Sequence, residues 1–212
     1  YSLCIQPNKF KIKGNNIIRE EIDYNDYVYC VSVPSKMIIT RRNNIILVCG
    51  NTEHSVMCLG SKENEIDTFE RLLTKLYPEG IVSIVSDSWD FWKVITEYLI
   101  KLKDVILNRN GKTVIRPDSG DPVKIICGNK NSIKDSPEYK GAVEGLWDIF
   151  GGTITKKGYR LLDKHIGLIY GDSITLERCK QICEQLKEKG FCSSNVVFGI
   201  GSYTYQYVTR DT

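Results

Sequence analysis

Residues 81–88, Ile81-Val82-Ser83-Ile84-Val85-Ser86-Asp87-Ser88, form an apolar run of strand length that passes directly into serine and aspartate. The arrangement recurs downstream. Thr113 to Ile115 leads into Arg116-Pro117-Asp118-Ser119-Gly120, Ile166 to Tyr170 into Gly171-Asp172-Ser173, and Asn195 to Phe198 into Gly199-Ile200-Gly201-Ser202. Helical spacing of apolar residues separates these runs, from about Trp89 to Leu107, from Tyr139 to Phe150, and from about Thr175 to Lys189, where Gly190 gives a stop. Strands alternating with helices pair in parallel through right-handed crossovers, and such folds carry ligands beyond the carboxyl ends of their strands. The fold class expected is therefore α/β, with the functional residues at the strand ends.

Outward from this core, Glu63 to Tyr77 places Ile66, Phe69, Leu72, Leu73 and Leu76 at helical spacing, with Pro78 and Gly80 as terminators. Thr153 to Leu162 reads as a surface hairpin turning on Lys157-Gly158. Upstream, Tyr27 to Cys49 is rich in β-formers, and Lys36 to Thr40 and Asn44 to Val48 flank a turn at Arg41-Arg42-Asn43. Two regions follow: a β-rich annex or insertion over residues 1–50, and a partial α/β barrel over residues 51–212. A complete eight-fold barrel takes about 250 residues. The chain is thus expected to be one segment of a larger barrel, its edge strands prone to association.

Composition narrows the class. At 42% hydrophobic and 26% charged, the 212 residues suit a packed core and argue against disorder. The net charge of +3 is interspersed, so no field points to nucleic acid or a membrane surface. No apolar run reaches the ~20 residues of a membrane-spanning helix. The eight cysteines include no Cys-x-x-Cys pair and only two histidines accompany them, against both a zinc site and a disulfide framework. Cys179 and Cys183 are read as small buried residues, and the compartment expected is a reducing cytoplasm.

Asp87, Asp118 and Asp172 each follow a strand. On a common rim they can hold sugar hydroxyls, or Mg²⁺ through waters; singly, each can also cap the next helix or turn. Arg116 suits bidentate capture of phosphate, with an Arg-Asp surface pair as the alternative. The Gly199-Ile200-Gly201-Ser202 loop can bring backbone N–H groups to an anion, with Arg210 within reach, or can simply be a turn. His54, beside Glu53, is one of the two histidines and is either structural or catalytic. Trp89, Trp92 and Trp147 fall on helical stretches and are expected in the core.

Taken in order, Thr52-Glu53-His54-Ser55-Val56-Met57, Ile84-Val85-Ser86-Asp87-Ser88-Trp89-Asp90, Ile115-Arg116-Pro117-Asp118-Ser119-Gly120-Asp121-Pro122, Tyr170-Gly171-Asp172-Ser173 and Phe198-Gly199-Ile200-Gly201-Ser202 with Thr209-Arg210-Asp211 resemble the nicotinate/nicotinamide phosphoribosyltransferase family, in its long bacterial and phage nicotinamide type. The resemblance runs from about Gly50 to Thr212, and the Arg-Pro-Asp-Ser-Gly motif is its most specific part. It implies a type II phosphoribosyltransferase, TIM-like α/β barrel and a pentosyltransferase that makes nicotinamide mononucleotide in NAD salvage. By the same resemblance, His54 looks like a histidine transiently phosphorylated by ATP, with Glu53 and Asp87 orienting or polarising it. Arg116, Asp118, Gly171 and Asp172 look like ligands of the phosphoribosyl or ribose group. Ser83 resembles a base-pocket residue, and Gly201, Ser202 and Arg210 a phosphate loop with its arginine.

The resemblance further implies nicotinamide, phosphoribosyl pyrophosphate, ATP and Mg²⁺ as reaction partners, and a cytoplasmic homodimer with shared sites, so that this chain alone would be inactive. Val48-Cys49-Gly50-Asn51 departs from the family's proline-containing approach to the histidine. The alternatives are a nicotinate-specific relative or a non-catalytic fragment that only associates. A phosphatase-like module is disfavoured, because Asp87-Ser88-Trp89-Asp90 lacks the Asp-x-Asp spacing.

Overall fold

In the computed structural model, which describes residues 37–42, 45–50, 54–58, 60–171 and 173–199, β1 (Met37–Arg42) and β2 (Ile45–Gly50) pair antiparallel with Arg42 opposite Ile45. Arg41 and Arg42, expected in the turn, instead extend the first strand. The chain then runs through α1 (His54–Cys58), α2 (Glu65–Arg71) with a π-helical continuation Leu72–Leu76, and β3 (Glu79–Val85). Next come α3 (Phe91–Lys93), a π-helical stretch Val94–Tyr98, α4 (Leu99–Lys101), α5 (Lys103–Leu107) and β4 (Asn110–Arg116). After β4 lie α6 (Pro122–Cys127), α7 (Pro137–Lys140), α8 (Ala142–Phe150), the hairpin β5 (Gly152–Ile154) and β6 (Arg160–Leu162), β7 (Ile166–Tyr170), α9 (Leu176–Glu188) and β8 (Val196–Phe198).

β3, β4, β7 and β8 form one parallel sheet in that order. Register-paired residues share a face, so Val82 and Ile84 line up with Thr113 and Ile115, then Ile166, Leu168 and Tyr170, then Val196. All of these are buried, together with Phe69, Leu72, Leu99, Ile106, Leu146 and Ile182 from the helices. The other face carries Ser83 and Arg116, and there Ile81 and Val197 are 67% and 58% exposed. An all-parallel sheet ordinarily has both faces covered. Here the helices cover one, and the four strands do not close into a barrel among the described residues.

Three helical expectations need correction. The long helix from Trp89 to Leu107 is interrupted by π-helical geometry at Val94–Tyr98 and breaks at Leu102. Tyr139 to Phe150 is two helices, because Gly141 takes φ 83°, a left-handed conformation that ends α7. Helical spacing marks no helix between Gly120 and Tyr139, yet α6 lies there, started by Asp121, whose side chain accepts from Val123 N at 3.0 Å, with Pro122 in the first turn. Trp89, expected on a helix in the core, precedes α3 and is 43% exposed.

Arg109 joins helix to sheet. Buried at 6% exposure, it donates from Nε to Leu73 O at 3.3 Å, from Nη1 to Thr113 Oγ1 at 3.2 Å, and from Nη2 to Tyr77 O. Carbonyls at the end of the Leu72–Leu76 stretch, which lack helical partners, are thereby satisfied. Arg109→Met should cost about 2–4 kcal/mol in urea unfolding, because it strands these buried acceptors; a cost below about 0.5 kcal/mol would show that water replaces the guanidinium without penalty.

Candidate functional site

Ser86 and Asp87 leave β3 at its carboxyl end, and Pro117, Asp118 and Ser119 leave β4 one strand over. The two exits are tied together. Ser86 N donates to Arg116 O at 3.0 Å, and Arg116 N donates to Ser86 Oγ at 3.3 Å. Asp87 Oδ2 accepts from Asp118 N at 2.9 Å, from Ser119 N at 2.7 Å and from Ser119 Oγ. β7 joins through Gly171 N to Pro117 O at 3.3 Å, and β8 through Gly199 N to Tyr170 O at 2.7 Å. The turn after β4 is also held from below, where Tyr170 Oη donates to Gly120 O at 2.9 Å. Burial, and then the fields of Asp87 and Asp118, push the Tyr170 hydroxyl's pKa upward, so it remains a donor.

His54, at the start of α1, faces this rim. Its Nδ1 is 3.2 Å from Ser88 Oγ, and its Nε2 lies 3.8 Å from Asp87 Oδ1 and 3.9 Å from Asp118 Oδ2. Asp87 is 7% exposed, and its Oδ1 is buried with no hydrogen-bond partner. Arg116, 12% exposed, brings Nε to 3.5 Å from Asp118 Oδ2. The Arg-Asp pair exists, but as a largely buried feature. Gly171 is required by proximity: a Cβ there would lie 1.7 Å from Asp118 Oδ1.

The structure thus brings together His54, Asp87, Arg116, Asp118 and Gly171. Ser83 sits deeper on β3, in register with Val114 and on the same sheet face as Arg116. Glu53, Asp172, Gly201, Ser202 and Arg210 lie outside the described residues. His165 is tied to Asp163, with Nδ1 at 2.7 Å from its Oδ1, away from the rim. Ser88 and Ser119 contact the cluster and were not singled out in the sequence, although each directly follows a strand-end aspartate. The described residues contain no group of three or more histidine, cysteine or carboxylate side chains able to hold a metal. Cys58, Cys127, Cys179, Cys183 and Cys192 are free thiols, and burial pushes Cys127 up to about 12, leaving it unreactive.

A second buried acid lies nearby. Glu65 opens α2 at 1% exposure with Oε1 unpartnered, and burial, followed by Asp90 and Asp87, raises its carboxyl to about 7 while Lys93 opposes the shift.

A sequence profile of the nicotinate phosphoribosyltransferase (NAPRTase) family matches residues 47–212. The chain is 64% identical over 167 residues to the nicotinamide phosphoribosyltransferase of Acinetobacter baylyi, a match covering 76% of this chain and 33% of the relative. It is 47% identical over 161 residues to that of Mycoplasma pneumoniae, covering 76% and 36%, and 34% identical over 162 residues to that of Xanthomonas campestris, covering 76% and 32%. The match therefore spans about a third of each relative's length.

For Glu65 the native state holds its proton more tightly than the unfolded chain does, so unfolding releases a proton between pH 4.5 and about 7. The Glu65 contribution to stability should be fully present below pH 4.5, fall as pH rises through this window and level off above it. Glu65→Gln should flatten that dependence in denaturation series across pH. An unchanged slope would place the proton elsewhere.

Proposed function

This chain belongs to the nicotinate phosphoribosyltransferase family, and on that premise we propose that it contributes the phosphoribosyl-binding strand ends of an enzyme that transfers phosphoribose from phosphoribosyl pyrophosphate to nicotinamide. The observation that carries this reading is the convergence of His54, Asp87, Arg116 and Asp118 on one rim, at the carboxyl ends of parallel strands. In the reaction the pyridine nitrogen bonds to the anomeric carbon as the bond to pyrophosphate breaks, yielding nicotinamide mononucleotide and pyrophosphate. Positive charge develops on the ribose, and negative charge on the departing pyrophosphate. Arg116 takes a phosphate through its guanidinium, Asp118 holds ribose hydroxyls and offsets the developing cation, and Gly171 lets the sugar and Asp118 approach the backbone. Ser83, on the same sheet face as Arg116, lines the approach to the base.

No protein nucleophile is required for that step. His54 is assigned to the ATP-coupled phosphorylation, with Asp87 at its Nε2 and Glu53 as neighbour. Asp172, Gly201, Ser202 and Arg210 complete the phosphate contacts in this reading. Mg²⁺ neutralises pyrophosphate charge when bound. Asp118, 26% exposed on the rim, is the carboxylate that would meet an ion that keeps most of its waters and is carried on substrate phosphates. The open sheet face and edges suit completion as a barrel and association as a homodimer; a cytoplasmic location belongs to the same reading. No helix among the described residues is long and apolar enough to cross a membrane.

The test is product formation by the full-length protein from phosphoribosyl pyrophosphate with nicotinamide or nicotinate, with and without ATP. Nicotinamide mononucleotide is the expected product, and exclusive use of nicotinate would reassign the base. His54→Ala should keep ATP-free transfer and lose the gain from ATP, whereas Arg116→Ala should lower kcat/KM for phosphoribosyl pyrophosphate about 100-fold, as expected for charge-assisted hydrogen bonds lost to a phosphate. Equal losses in both assays for His54→Ala would place the histidine in the transfer step itself.

A further inference from the structure

Asp87 does two things with one carboxylate. Its Oδ2 accepts from Asp118 N, Ser119 N and the Ser119 hydroxyl, whereas its Oδ1 is buried without a hydrogen-bond partner and faces His54 Nε2 at 3.8 Å. Which oxygen faces the histidine is therefore decided on the other side of the carboxylate, where Ser119 supplies two of the three donors. The backbone N–H groups belong to the turn and would be present with any residue at 119. The hydroxyl is the side-chain contribution specific to serine or threonine, and Ser119 is exposed, so removing its Oγ opens no core cavity.

We infer that Ser119 is a positioning residue for His54, acting through Asp87: its hydroxyl locks the carboxylate rotation that presents Oδ1 to the imidazole. This inference rests on the transferase reading and on the assignment of His54 to the ATP-coupled step. Without the hydroxyl, Asp87 retains two donors but gains freedom about its terminal torsion, which is broad for a carboxylate. The imidazole then loses a fixed partner for the charge it carries when it acts. Substrate contacts through Arg116 are untouched, so binding should survive while turnover falls.

The experiment uses the full-length protein, assayed for nicotinamide mononucleotide formation at saturating ATP, with Ser119→Ala, Ser119→Thr, His54→Ala and the Ser119→Ala/His54→Ala double variant. Ser119→Ala should lower kcat about 10- to 100-fold, the range expected for one hydrogen bond to a charged group, with KM for both substrates within about 2-fold. Ser119→Thr, which keeps the hydroxyl, should recover to within about 3-fold of wild type, and in the His54→Ala background Ser119→Ala should change the rate less than about 2-fold. The inference is overturned if Ser119→Ala stays within about 3-fold of wild type, or if its full loss persists without His54. A wild-type protein that makes no nicotinamide mononucleotide defeats the transferase reading, and an active one whose rate ignores ATP defeats the role of His54; either takes this inference with it.

Discussion

A carboxylate at the end of one strand that accepts backbone N–H groups from the turn after the next is the contact on which the site is organised. Asp87 leaves β3, yet its Oδ2 is spent on Asp118 N and Ser119 N beyond β4. That fixes the spacing of two strand ends and orients the two peptides that follow Pro117. It also commits Asp87 to burial, which is tolerated because charge-assisted hydrogen bonds compensate for lost hydration. The Ser119 hydroxyl adds a third donor to the same oxygen, and with all three in place the second oxygen becomes a fixed feature of the rim.

The core and the site divide the sheet by parity. One set of alternating residues packs under the helices, and the adjacent set carries Ser83 and Arg116. Because register-paired residues share a face, the parallel pairing of β3 with β4 puts Val85 beside Arg116, and the arginine points away from the helical layer. Arg109 and Tyr170 support this division from below, the first by closing the end of a helix against β4, the second by holding Gly120 from β7. Neither belongs to the rim, but each limits how far a strand end can drift.

Much of this was legible beforehand because it rests on short-range rules. Apolar runs of strand length that end in Ser-Asp, Arg-Pro-Asp, Gly-Asp and Gly-Ile-Gly-Ser mark parallel strands with their polar exits, and all four such strands are present. The hairpin at Lys157-Gly158 follows from turn chemistry in the same way. What periodicity could not reveal was helix continuity. The break at Gly141 is a backbone conformation, and the π-helical turn at Val94–Tyr98 leaves apolar spacing nearly unchanged. α6 was hidden by its brevity, although Asp121-Pro122 is a capping signal in plain view. At the site, His54, Asp87, Arg116 and Asp118 could be named from motifs and resemblance, whereas Ser88 and Ser119 act by contacts between segments more than thirty residues apart. Glu65 is by position a first-turn acid of α2, and only tertiary burial distinguishes it.

In the proposed reading these strand ends form a phosphoribosyl site. Calorimetric titration of the full-length protein with nicotinamide mononucleotide and Mg²⁺, repeated with Arg116→Ala, tests it most directly. Saturable binding by the wild type, weakened by about 100-fold or more in the variant, is expected, as for a phosphate deprived of its bidentate partner. Equal affinity in the two proteins would contradict it and would move the phosphoribosyl site away from the carboxyl end of β4.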